Sequence, residues 1–362
     1  MSLADVRGAL CGIVVLLSVS QAAAFHDAGV ANCGGCHVMH DGAVFPPNPD
    51  DAGLLTGESP SDVCLVCHAE SAGVVLGPDP LLPPPEKGSG NFAFLYEDNL
   101  NDAADGTLNP IPGEAAGHSI VAPARGLFAD SRHTVSPGGS FPSDRLGCTS
   151  CHNPHGNAEF RLLNGVGPVQ AGLATFSYPA PDAAGIDLIS GVESDGNHTA
   201  YRAGISAWCA NCHGFYHDDA ATGFQHPSDE LMRTGIRNRY NNYDGDADPF
   251  GGTAATSYLA EVPFQDSAAA IDSTAGPSAM ARVMCLSCHR AHASSAPHAG
   301  RWDFNVSRLG DDGVVSGSFA IPNPYASPNQ GRLCAKCHAG IPGGGPQAPQ
   351  TDHIQSISPG GM

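Results

Sequence analysis

Six stretches of this chain end in the same three-point pattern, and nothing else in the sequence limits the fold as strongly. They read CGGCH (Cys33, Cys36, His37), CLVCH (Cys64, Cys67, His68), CTSCH (Cys148, Cys151, His152), CANCH (Cys209, Cys212, His213), CLSCH (Cys285, Cys288, His289) and CAKCH (Cys334, Cys337, His338). C-x-x-C-H is the attachment site of a c-type haem: the thiols form thioethers with the haem and the adjacent histidine takes the iron from the proximal side. Rival readings do worse. Zinc would need further ligands at matching spacing, and a disulfide has no use for a histidine at one fixed offset. Of 13 cysteines only Cys11 falls outside the six motifs.

The rest of the composition fits a chain folded on cofactors. Gly and Pro number 45 and 30 in 362 residues, and stretches such as LGPDPLLPPPEKGSGN can form neither a helix nor a central strand. So loop-rich a chain cannot offset its ordering entropy with its own side chains. The expected fold is a multihaem c-type cytochrome, mostly coil with short helices wrapped around a stack of six haems and little regular sheet. The motif histidines are separated by 31, 84, 61, 76 and 49 positions. Such gaps do not suit a tandem repeat of one unit; they suit one chain wound irregularly along a row of cofactors.

Residues 1–24 read as a cleaved signal peptide: a short polar start with Arg7, an apolar stretch from Ala9 to Val19 containing Cys11, and small residues at Ala22 and Ala24. The apolar stretch is too short to span a bilayer, and no later stretch does so. Residues 25–339 form one hexahaem domain, and 340–362 a Gly/Pro-rich tail expected to be disordered. The formal net charge of −20, with Lys87 and Lys336 the sole lysines, excludes a nucleic-acid partner.

Eleven histidines remain outside the motifs, and bis-histidine ligation of six haems would use six. His40 (CHVMH), His155 (CHNPH) and His292 (CHRAH) recur at one offset behind a motif, and His217 (CHGFYH) comes one residue later. A histidine so placed cannot easily reach the far face of its own haem, but it can reach a neighbour's. His118 and His226 sit in short Gly- or Pro-flanked loops, and His26 near the mature terminus would tie that end down. These seven compete for six distal places. His133, His198, His298 and His353 have no such context and read as solvated surface residues, and Met39, Met232, Met280 and Met284 as packing residues. NYDGDADPF, with Asp244, Asp246 and Asp248, opens like a calcium loop, yet Pro249 and Ala255 replace the required Gly and closing acid. It reads first as an acidic turn and second as a divalent cation site.

In order, FHDAGVANCGGCHVMH, GHSIVAP, PGGSFPSDRLGCTSCHNPHG, WCANCH, QHPSD, CLSCHRAHAS and LCAKCHA resemble the OmcS-like hexahaem extracellular cytochromes, which polymerise into conductive filaments. The resemblance runs from Phe25 to Ala339 and implies bis-histidine haems throughout. It also implies that His40 ligates a haem in the adjacent subunit, a heterologous contact that propagates as a filament. His26, His118, His155, His217, His226 and His292 match family positions as well. The implied function is extracellular electron transfer, with the chain itself and other redox cytochromes or extracellular acceptors as partners. A monomeric electron shuttle with His40 ligating internally is the alternative. A multihaem oxyanion reductase is the third reading, weakened because every motif keeps its His and distal histidines abound. On the leading reading the chain transforms no substrate.

Overall fold

Ser59 begins the best-defined helix, and the local sequence shows why. Its hydroxyl accepts the Asp62 backbone N–H at 3.1 Å and donates to the Asp62 carboxylate at 2.8 Å, while Pro60 fills the first helical position, where no N–H is needed. This helix, Pro60–His68, is the second of five among the described residues. Cys33–Cys36 (α1), Pro60–His68 (α2), Cys148–Cys151 (α3), Ile205–Cys209 (α4) and Thr234–Asn242 (α5) follow in chain order, with 3₁₀ turns at Cys285–Ser287 and Leu333–Lys336. Each haem motif thus carries a helical turn. Two cysteines three positions apart then face the same side, as a single planar cofactor requires.

The computed structural model describes residues 26, 33–38, 55–69, 75–77, 88–96, 115–186, 193–217, 226–245, 247–304, 324–325 and 333–338. The expected signal peptide and tail, together with Met39, His40, Asp246 and His353, lie outside the described residues. Among the described residues, sheet is confined to two antiparallel pairs. Gly167–Val169 (β1) pairs with Ala174–Phe176 (β2), and Asp182–Ala184 (β3) with Ala200–Ala203 (β4), the latter with a bulge between Asp182 and Ala183. No helix among them is long and apolar enough to cross a membrane.

The apolar core is divided. One cluster gathers Leu65, Phe92, Phe94, Ile120 and Leu127 beside α2. A small one joins Tyr201, Ile205 and Met284. The largest surrounds α5 with Tyr240, Tyr243, Tyr258, Phe264 and Trp302. Of the packing methionines, Met232 and Met284 are buried, whereas Met280 is 54% exposed and does not pack inside.

Within this coil-rich winding, two segments follow the same backbone path. Behind the third motif, Asn153 N–H donates to Leu162 O and Asn164 N–H to Cys151 O; behind the fifth, Arg290 N–H donates to Ala299 O and Arg301 N–H to Cys288 O. Arg161 and Leu162 have φ of 53° and 57°, and His298 and Ala299 have 61° and 54°. The two segments are one structure 137 positions apart. The first motif has a longer version, with Thr56 N–H donating to Cys36 O and His37 bridged to Leu55. Loop length hides this repeat in the sequence, because unequal insertions between its hydrogen bonds leave motif gaps unequal too.

Candidate haem-binding site

The motifs follow one another in space as they do in sequence. Cys36 and Cys148 are both electrostatic neighbours of Cys64, Cys212 of Cys151, Cys285 of Cys209, and Cys334 and Cys337 of Cys288. The first and sixth motifs are therefore the two ends of a row.

Five motif histidines face another histidine across a gap. The ring centroids are 6.4 Å apart for His37 and His155, and 6.5 Å for His68 and His26. They are 6.5 Å apart for His152 and His292, 5.8 Å for His213 and His118, and 6.1 Å for His338 and His226. With metal–imidazole bonds of about 2.0 Å and a nitrogen about 1.1 Å from its ring centre, two imidazoles across one iron stand about 6 Å apart. The interplanar angles run from 3° to 83°. Such a spread suits rings free to rotate about an iron–nitrogen axis. The donor set and its spacing fit c-type haems with two axial histidines.

The tautomer fits as well. Nδ1–H is donated to a backbone carbonyl by His152 (Arg161, 2.8 Å), His213 (Pro137, 2.8 Å), His289 (His298, 2.9 Å), His118 (Ala291, 2.8 Å) and His26 (Pro154, 3.2 Å). That leaves Nε2 with its lone pair for a metal, the usual arrangement around a ligating imidazole. Burial pushes His118 down to about 4 and His292 to about 3, and lowers His152, His213, His226 and His289. These rings are neutral at ordinary pH, as metal ligation requires.

His118 and His292 come from one bridge. Gly117 pairs with Ala293, His118 N–H donates to His292 O at 2.9 Å, and Ser294 N–H donates to Ala116 O at 3.0 Å. Only glycine permits this approach: a Cβ on Gly117 would lie 2.3 Å from His292 O, and one on Gly90 would lie 1.9 Å from Ala293 O.

Two of the seven distal candidates are not in such pairs. His40 lies outside the described residues. His217 has its Nε2 3.7 Å from Asp229 Oδ2 and its ring 5.6 Å from Tyr178, opposite no motif histidine. Correspondingly, the His289 ring meets the edge of Phe304 at 5.5 Å and, among the described residues, no histidine stands across from it. The remaining histidines have other surroundings. His133 bonds Asp130 at 3.0 Å on the surface as expected, whereas His198 is not a surface residue: it is buried against Tyr258, with Thr199 O and Ser273 O at its two nitrogens. The carbonyl of His298 serves His289. As for the acidic turn, Asp246 is outside the described residues. Among those described, no three His, Cys, Asp or Glu side chains converge on a bare metal site.

Sequence reasoning missed the pairing rule. The second histidine of a C-x-x-C-H-x-x-H motif serves the motif two places earlier: His155 faces His37, and His292 faces His152. A histidine ahead of each such motif serves the next even-numbered one: His26 faces His68, His118 faces His213, and His226 faces His338. The signal lay in the recurring C-x-x-C-H-x-x-H at the first, third and fifth motifs.

No protein-family model matches the chain. It is 31% identical over 424 aligned positions to the C-type cytochrome OmcS of Geobacter sulfurreducens, the match covering 90% of this chain and 96% of that protein. The structure resembles the Outer Membrane Cytochrome S filament from Geobacter sulfurreducens (TM-score 0.72, 28% identity, 87% of this chain and 99% of that one). It also resembles the OmcS nanowires of the same organism seen by cryo-electron microscopy (TM-score 0.69, 26% identity, 87% and 99%).

Proposed function

The chain belongs to the family of the C-type cytochrome OmcS, and on that footing we propose that it carries electrons outside the cell along six bis-histidine haems in a homopolymeric filament. It is an electron-transfer protein, not an enzyme. When bound, the haems supply one-electron Fe(II)/Fe(III) chemistry. The chain supplies spacing, ligation and a low-dielectric surround. Exported subunits pass electrons to one another, to other redox cytochromes or to extracellular acceptors.

One observation carries the polymer: His40 repeats the offset of His155 and His292, and among the described residues His289 has no histidine across from it. His292 reaches back from the fifth motif to the third, and His155 from the third to the first. His40 occupies the same place in the first motif, so its partner two motifs back belongs to the preceding subunit. The vacancy it fills is the one across from His289. In this reading the subunit is three copies of a two-haem unit, and the joint between subunits repeats the joints within it. His217 is the distal candidate that is not a ligand. The contact is heterologous and does not close on itself, which yields a filament.

The test is cryo-electron microscopy of the haem-loaded protein beside His40→Ala. The proposal expects filaments with His40 entering the His289 haem of the preceding subunit. It expects the variant to give monomers with one high-spin haem. Monomers of the natural chain with six low-spin haems would overturn it in favour of the shuttle.

A further inference from the structure

Two of the junctions along the row are built by the same pair of residues, and nothing in the ligation scheme requires them. Ser61, three positions before Cys64, accepts the backbone N–H of Cys148 at 3.2 Å; Ser206, three before Cys209, accepts that of Cys285 at 3.1 Å. Both serines are 1% exposed. At both junctions the two first-cysteine side chains are close neighbours, Cys64 of Cys148 and Cys209 of Cys285. Helix α2 accordingly packs on α3, and α4 on the Cys285–Ser287 turn. Two motifs separated by 84 positions and two separated by 76 arrive at the same arrangement.

We propose that Ser61 and Ser206 are positioning residues for electron transfer, each clamping the attachment sulfur of one haem against that of the next. In the loaded protein these sulfurs are thioethers bonded to the porphyrin edges. Their proximity would then bring together the attachment points of the second and third haems and of the fourth and fifth. One electron crosses from a ferrous to a ferric centre, with no bond made or broken and no proton moved. The hydroxyl ties the helix of one motif to the first residue of the next and holds the contact closed. In the sequence Gly331, not a serine, stands three positions before Cys334. The inference rests on the covalent haems of the reading above and not on the filament.

The experiment uses the full haem-loaded chain as monomer, with six haems verified by mass. Ser61→Ala and Ser206→Ala are compared with Ser206→Thr, which keeps the hydroxyl. Ser287→Ala is the control: it removes a hydroxyl bonded to Met284 N–H within its own turn. The readouts are the Soret exciton couplet in circular dichroism and the inter-haem transfer rate after photoreduction. Each alanine variant is expected to weaken the couplet and slow transfer about fivefold, the population change that one lost hydrogen bond produces. Ser206→Thr and Ser287→Ala should match the natural chain. Unchanged rates in both clamp variants, or equal slowing by Ser287→Ala, would overturn the proposal. Because two junctions are tested separately, poor haem loading of one variant leaves the other to decide. Filament loss bears on the function reading alone.

Discussion

The backbone N–H of His118 donates to the carbonyl of His292 at 2.9 Å, so two histidines that face different motifs hang from a single bridge. His118 turns toward His213 and His292 toward His152. Any backbone shift here moves two rings at once. Gly117→Ala places a Cβ 2.3 Å from His292 O and 2.5 Å from Ala293 Cα, so the strands must separate. The expected outcome is high-spin ferric signal from two haems together, read by electron paramagnetic resonance. Loss at one haem only would show that the bridge does not couple them.

On the proposed pairing His217 is the surplus member of the seven. Its Nε2 lies 3.7 Å from Asp229 Oδ2, a partly exposed pair of the kind that contributes about 0–1 kcal/mol. His217→Ala should leave six low-spin haems and change the thermal midpoint little. A new high-spin haem in that variant would make His217 a ligand and reopen the place assigned to His40.

What the sequence disclosed, and what it hid, divides along physical lines. Attachment chemistry is local, so the six motifs and the coil-rich fold were legible from Cys33 to His338. Distal ligation is long-range: His155 reaches back 118 positions to His37, and no local signal sets that distance. His118 and His226 stood out because Gly and Pro mark turns, yet the motif each one faces is decided by bridges such as Gly117–Ala293. The repeated unit escaped notice because insertions such as the longer first-motif loop cost little entropy while destroying a fixed period. The buried serines 61 and 206 carried no signal, since a serine three residues before a cysteine is commonplace.

Arg301 is fully buried and ties four segments. Its guanidinium donates to Leu286 O at 2.7 Å, Ala260 O at 3.0 Å and Gly88 O at 3.4 Å, and lies 3.5 Å from Glu193 Oε2. Glu193 is itself buried and also meets Arg290 at 3.6 Å. Removing one partner from such a cluster leaves uncompensated charge and carbonyls, at a cost of about 3–5 kcal/mol. Arg301→Met should lower stability by that order in chemical denaturation. Arg301→Lys should fall in the same direction, because an ammonium cannot reproduce the fork that reaches three carbonyls. Equal stability of either variant would show that the cluster holds nothing together.

Lys336 makes the final prediction, one of sign. Its amine is buried, donates to Tyr240 O and Tyr243 O at 3.0 Å each, and sits 4.7 Å over the Tyr240 ring. Burial nonetheless pushes its pKa down from 10.5 to about 8. Between those values the unfolded chain holds the proton and the folded chain releases it. Stability therefore rises with pH through the window, by at most about 3 kcal/mol from one such group. Below about pH 8 both states are protonated and the slope vanishes. Lys336→Met should remove this rise, and the difference between variant and natural chain across pH 8 to 10.5 isolates it from other titrating groups. If the two stability curves stay parallel there, the amine keeps its proton and the two carbonyls, not burial, set its charge.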